Sequence, residues 1–410
     1  MAVTQGSLAS YAPACGAEPI ERIRAAAEPL RGVRVAHLTP AGVGGRVPEL
    51  LTAMLPLAAD AGLEVSWHVL FGDPRLDAVG RSLHDGLQGA ETAIDDEAWE
   101  AYLESCSEGV AVLGDEYDVL VLHDPGTLGV AAAAGGAVAW RCHVDAARPD
   151  GPALQRALPL AECCAALAFP DVSFAPEALP AATLHATPPG IDPLSPGNLE
   201  LAPRLAGRVV RPLGVDLSRP FVCFTMRFDR WKDPHAAIEA FSEAKEELPE
   251  LQLVLAGALD SGDPVGWPVL KEVTDYAAST PDVHLLTSYE GVGNLELGGL
   301  HLLARVALRR SIREGFGLAA SEALWKGTPV VGGVEGGLPL QVRDGVDGYL
   351  TDDTSETAAR IVELVRDTGL AIEMGRAGRE RVRERFLVTR ALEDELRMVA
   401  AVLGATVESP

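Results

Sequence analysis

Short apolar runs alternate with segments of helical periodicity along most of this chain. Residues 32–38, 65–70, 118–125, 137–145 and 165–170 read as strands. Each is a short, largely apolar run bounded by turn signals, as in a parallel sheet covered on both faces. Residues 47–61 space their apolar positions as a helix does, and 79–89 read as the end of another. The first thirty residues read as a loosely attached segment with a short helix at 20–30. A proline-rich stretch, Pro188-Pro189-Gly190-Ile191-Asp192-Pro193, has no helical or strand pattern and reads as a hinge. Beyond it the alternation resumes. Strands are expected at 220–226, 251–256, 283–286, 306–308 and 330–331. Helices are expected at 234–248, 268–278, 294–305, 318–325, 355–368, 371–385 and 391–403. Strands alternating with helices imply parallel sheets, here one on each side of the hinge.

Polar residues gather where such strands end, which is where doubly wound sheets hold ligands. Thr39 to Arg46 is a glycine-rich turn containing Gly44 and Gly45, although it lacks the full dinucleotide-binding glycine spacing. His123 and Asp124 end one strand, and Arg141, His143 and Asp145 end the next.

The stretch SIREGFGLAASEALWKGTPVVGGVEGG, residues 311–337, carries the densest chemistry. Glycines before a helix allow a tight turn and a close ligand approach, and the helix start offers N–H groups suited to phosphate. Glu322 stands about 80° beyond two full helical turns from Glu314, so the two would not stack on a continuous helix. With Glu314 in the loop, both can face one extended ligand, such as the two sugars of a nucleotide sugar. Two solvated helix glutamates are the plainer reading of a bare Glu-x7-Glu pair.

The flanking words decide between these. REGFG…SEALWKGTPVVGG, together with RFDRWKDP at 227–234, resembles the retaining GT4-type glycosyltransferases of GT-B fold, closest to the trehalose glycosyltransferring synthases. WHVLFGD and LHDGLQG in the first half resemble the same family. The resemblance implies an α/β protein with two Rossmann-like doubly wound domains facing a cleft. Residues 1–195 would form the acceptor domain and 196–390 the nucleotide-sugar donor domain, with 391–410 a helix crossing back to the first. It implies hexosyl transfer with retention from a nucleoside-diphosphate sugar to a small acceptor, with trehalose formed from NDP-glucose and glucose.

By the same resemblance Arg227 and Lys232 hold the diphosphate, Glu314 contacts the donor sugar, and Glu322 binds the ribose hydroxyls. Gly315, Phe316, Gly317 and Leu318 supply backbone N–H groups, and Gly44 and Gly45 line the phosphate or acceptor side. His143 meets the donor sugar or acceptor; Asp145, His123, Asp124 and Arg46 are acceptor-side candidates. No cofactor or metal is expected, since cations and helix termini replace it. Asp260 and Asp263 in LDSGDP read as turn residues rather than a metal pair. A homodimer is compatible with the family.

Composition narrows the classes further. The 410 residues carry a net charge of −25, which disfavours tracking a nucleic-acid backbone. No apolar stretch reaches the length of a membrane span, and the first residues lack a secretion signal's basic start and apolar core. Six scattered cysteines fit neither a zinc site nor a disulfide framework and read as reduced thiols of a cytoplasmic protein. Two places depart from the family pattern. Arg46 stands where a small residue is usual, and ELGGLHLLARVALRRS at 296–311 lacks an expected asparagine near Gly298. Donor motifs survive while acceptor detail drifts, so the alternative is a specialised-metabolite glycosyltransferase, as in antibiotic pathways, with a different sugar or a non-glucose acceptor. A nucleotide-sugar-binding protein without catalysis is the third reading, opposed by the intact Arg227, Lys232, Glu314 and Glu322.

Overall fold

A computed structural model describes residues 1, 3–42, 45–70, 74–114, 116–229, 231–259 and 266–405. The chain divides into two compact units, Met1–Asp192 with Phe386–Pro410, and Pro193–Arg385.

The first unit holds a six-stranded sheet in the order β2-β1-β3-β4-β5-β6. Its strands are β1 (Arg34–Thr39), β2 (Glu64–Val69), β3 (Val119–His123), β4 (Ala137–Arg141), β5 (Ala166–Phe169) and β6 (Leu184–Ala186). All pairings are parallel. Every residue of β3 is buried, so its Val-Leu-Val-Leu run follows from cover on both faces. Strand order reverses direction between β1 and β3. In doubly wound sheets ligands bind beyond the carboxyl ends of the strands at such a switch point.

The second unit holds β7 (Phe221–Thr225), β8 (Gln252–Gly257), β9 (Val283–Thr287), β10 (Val306–Arg309), β11 (Val330–Gly332) and β12 (Gly348–Leu350). Their order is β12-β11-β10-β7-β8-β9, again parallel throughout. Renumbered within the unit this is 3-2-1-4-5-6 read from the β9 edge, the Rossmann order, with its switch between β7 and β10. Phe224, Leu253, Leu308 and Val331 join Phe241 and Ile361 in one buried cluster between sheet and helices.

The structure corrects one expectation and adds two features. The first residues are not loosely attached. Leu8 is fully buried, its N–H donates to Asp60 at 2.8 Å, and the Tyr11 hydroxyl donates to Asp192 at 3.0 Å. A long helix, Asp96–Leu113, stands where the sequence pattern gives no element; Asp95 caps it, and Trp99, Tyr102 and Cys106 form its buried stripe. At Gly298 itself the fold has no room for a side chain. A Cβ there would lie 2.1 Å from the Gly197 carbonyl, because helix Asn294–Leu303 packs against that backbone. Of the cysteines, Cys163 is exposed and the other five are buried. Among the described residues no helix is long and apolar enough to cross a membrane.

Candidate active site

In the second unit the chemistry sits at the sheet's switch point, where β7 and β10 end side by side. The segment after β7 turns sharply, and Asp229 makes the turn. Its Oδ1 accepts the N–H groups of Trp231 at 2.9 Å and Lys232 at 3.2 Å, while Oδ2 pairs with Arg227 at 3.1 Å. Asp233 then caps helix Pro234–Glu247 by accepting the Ala236 N–H at 3.1 Å. The segment after β10 zips onto this turn. Lys232 and Ser311 form an antiparallel bridge, and the Ile312 N–H donates to the Trp231 carbonyl at 2.9 Å.

That zipper brings Lys232 Nζ against Glu314 Oε1 as an ion pair, and the Ser311 hydroxyl donates to Glu314 Oε2 at 3.0 Å. Burial pushes the Glu314 carboxyl up, but Lys232, Ser311 and Arg309 together hold it below the ordinary carboxylate value. It is therefore a pure acceptor near neutral pH, suited to sugar hydroxyls. Arg309 is itself buried and structural: it donates to Thr225 Oγ1 at 2.7 Å and to the Ala319 carbonyl at 2.8 Å. It thereby clamps β7, β10 and helix Leu318–Trp325 together.

Glycines shape the loop around Glu314. Gly317 caps helix Leu318–Trp325 at φ 78°, and a Cβ there would come within 3.0 Å of the Glu314 side chain. At Gly336, with φ 62°, a Cβ would strike the Glu314 carbonyl at 2.1 Å. The fully buried Gln341 locks the same loop. Its amide donates to the carbonyls of Phe316 and, at 3.2 Å, Gly337, and its oxygen accepts the Ser321 N–H at 3.0 Å. A small cavity remains beside Glu314, bordered by Arg309, Ser311, Phe316, Glu335 and Leu338.

Arg227 lies outside the Lys232–Glu314 pair. Its side chain is 69% exposed and reaches Lys232 only through the shared Asp229. Glu322 lies half-buried further along helix Leu318–Trp325 and does not border the cavity. Its carboxylate acts on Lys326, which burial and Arg379 push down to about 8 against the pull of Glu322.

In the first unit the switch between β1 and β3 holds three histidines in a stack. His37 Nδ1 meets His123 Nε2 at 3.1 Å, and His123 Nδ1 meets His143 Nε2 at 3.1 Å. The ring centroids are 5.4 Å apart at both steps. Behind His37, Glu395 pairs with Arg141, both buried. Burial is the main cause holding all three imidazoles below the usual histidine range, so near neutral pH they are uncharged.

The remaining acceptor-side candidates are dispersed. Asp124 follows β3 with φ 65°, a conformation rare outside glycine, and its carbonyl accepts the Trp140 indole N–H at 3.1 Å. Asp145 caps its own loop through the Ala147 N–H at 3.0 Å. Gly45 precedes helix Arg46–Ala61, and Arg46 is exposed and paired with Glu49 at 3.0 Å. Gly44, Asp260 and Asp263 lie outside the described residues. Among those described, no group of three or more His, Cys, Asp or Glu side chains could hold a metal ion.

Sequence reasoning did not single out His37, Glu395, Ser311, Arg309 or Gln341. His37 and Arg309 could have been found as polar residues near the carboxyl end of apolar strands. Gln341 and Glu395 carried no local signal, since their partners are distant in sequence.

Both halves match known families. Residues 37–176 match the family model "Trehalose synthase, N-terminal domain", and residues 209–381 match "Glycosyl transferases group 1". Among solved structures, Anabaena HepE in complex with UDP-glucose is similar at a TM-score of 0.69 and 18% identity, covering 89% of this chain and 98% of that one. These findings define a GT-B glycosyltransferase. Trehalose synthase of Rubrobacter xylanophilus is 39% identical over 97% of each chain. That of Thermococcus litoralis is 32% identical over 94% of this chain and 95% of its own. The chain belongs to the trehalose synthase family of glycosyltransferases.

Proposed function

We propose that this glycosyltransferase moves a glucosyl group from a nucleoside-diphosphate glucose to glucose, forming trehalose with retention at the anomeric carbon. The observation that carries the reading is the Lys232–Glu314 pair at the switch point of the second sheet, beside a glycine-shaped helix start. A bound donor offers each partner a replacement. Its phosphate oxygens take the Lys232 ammonium, and its sugar hydroxyls take the Glu314 carboxylate. Arg227 adds a guanidinium fork to the diphosphate, and Glu322 accepts the ribose hydroxyls. The N–H groups of Gly315 to Leu318 add the partial positive charge of a helix start.

The names of the relatives and the UDP-glucose complex of HepE support this donor and product. In the transfer, the bond from the anomeric carbon to the diphosphate breaks while the bond to the acceptor oxygen forms on the same face. The departing phosphate oxygen takes the acceptor's proton, and Lys232 offsets the charge left on the diphosphate. No resident metal or cofactor is required by this scheme.

The test is to incubate the protein with UDP-, ADP- or GDP-glucose, with and without glucose, following released diphosphate and new disaccharide. Diphosphate release with trehalose formed only when glucose is present is the expected result. Turnover only with a different acceptor overturns trehalose as the product. Donor binding without turnover overturns catalysis.

A further inference from the structure

The histidine stack of the first unit is a string of neutral rings, each with one N–H donor and one bare nitrogen acceptor. Only two proton arrangements make both hydrogen bonds of such a string, and they run in opposite senses. In one, His37 Nδ1–H donates to His123 Nε2, His123 Nδ1–H donates to His143 Nε2, and His143 keeps its proton on Nδ1. In the other every proton is reversed, and His143 carries its proton on Nε2.

Glu395 selects between them. Its Oε2 is engaged by Arg141, while Oε1 is buried, lacks a hydrogen-bond donor, and lies 3.5 Å from His37 Nδ1. A bare Nδ1 there would set a lone pair against a carboxylate oxygen in a buried site. A protonated Nδ1 gives that oxygen its nearest positive edge. Arg141 pairs with the other oxygen of that carboxylate, and its second Nη donates to the Thr187 carbonyl at 3.4 Å.

The geometry points to Glu395, His37 and His123 as a positioning chain that sets the tautomer of His143, so that His143 Nδ1 carries the proton and donates to an oxygen of the bound sugar. The second half rests on the sugar-facing role of His143 implied by the family resemblance. The first half stands on the contacts within the unit. The stack runs from the last helix, Val388–Val402, through the carboxyl ends of β1 and β3, to the segment beyond β4. It thus delivers a choice made at a buried ion pair to a half-buried ring. His37, His123 and Glu395 touch no substrate in this scheme and are positioning residues.

Nitrogen-15 spectra of histidine-labelled protein, without substrate, read the tautomers directly. His143 with a protonated Nδ1 and a bare Nε2 is the expected result; the reverse overturns the proposal. His37→Phe keeps a ring in the stack but removes the N–H. It is expected to give a mixture of His143 tautomers and to lower kcat/KM about tenfold, the order of one net hydrogen bond. His37→Asn, whose amide nitrogen can stand near the position of Nδ1, is expected to restore both. A His143 tautomer unchanged in His37→Phe overturns the chain. A fully active His143→Ala enzyme overturns the sugar-facing role alone, and the substrate-free spectrum of the unsubstituted protein still decides the tautomer.

Discussion

The two units place polar chemistry at the same point of the same topology and solve its burial in opposite ways. At the switch of the second sheet the solution is charge: Lys232 against Glu314, with Arg309 anchored behind. At the switch of the first it is neutrality: three imidazoles form a hydrogen-bonded string, and behind it Glu395 and Arg141 are buried and paired with each other. A charged pair can be exchanged for a charged ligand with little net loss. A neutral string cannot grip an anion, but it can fix a direction for hydrogen bonding. Under the proposed function, the second unit would hold the diphosphate sugar and the first would orient an uncharged hydroxylated molecule.

The largest expected effect separates the ion pairs by depth. Arg141→Met strands Glu395 in the core and is expected to lower stability by about 3–5 kcal/mol, measured by denaturant unfolding. A loss below about 1 kcal/mol would show that Glu395 finds another partner and that the first unit is less committed to this pair than its burial implies. Next comes Lys232→Ala. Charge developing on the leaving diphosphate goes unmatched, so kcat should fall about 100- to 1,000-fold, the weight of one preorganised stabilising group. A near-normal kcat would remove the charged half of the contrast. Glu322→Ala should weaken binding of the free nucleoside diphosphate by about 1.5–3 kcal/mol, the range for hydrogen bonds to a charged group, as read by calorimetry. Unchanged affinity would contradict the ribose assignment.

The shallowest effect is on acid stability, and its onset should differ between the units. Folding depresses the three imidazoles below 6.5, so the unfolded chain binds the protons that the folded one refuses. Stability from this source is complete above that value and declines as pH falls below it. Glu314 is depressed below 4.5, so its contribution is present above that value and is lost only at lower pH. Hydrogen exchange resolved by segment should show β1 and β3 loosening at higher pH than β10 and β11. Simultaneous loosening would show that the histidine stack does not govern acid sensitivity.

Periodicity made the strands legible because both sheets are parallel and covered on both faces, which leaves unmistakable apolar runs such as Val119–His123. Helix Asp96–Leu113 hid because its buried stripe is carried by only Trp99, Tyr102 and Cys106 among exposed acidic residues. The start of the chain is hard to read from sequence because its helices are short and interrupted by proline and glycine, while its anchors, Asp60 and Asp192, are far along the sequence. Lys232 and Glu314 were legible as motif residues, but their pairing depends on the Lys232–Ser311 bridge, which no local pattern encodes. The same holds for His37: its strand was plain, yet the meaning of its ring comes from Glu395, more than three hundred residues away.

The return of Phe386–Pro410 to the first unit sets an order on biosynthesis. Val388–Val402 leaves the ribosome only after the whole second unit, and it carries Glu395 and the buried residues Leu392, Leu396 and Val399. Until it emerges, the nascent first unit lacks the counter-ion of Arg141 and the cover for those apolar side chains. The intervening segment, complete by Arg385, can fold while its predecessor waits, reversing the usual order in which amino-terminal domains mature first. Chains cut short before this helix should therefore be substrates for chaperones or proteases even though most of the first unit has already been translated.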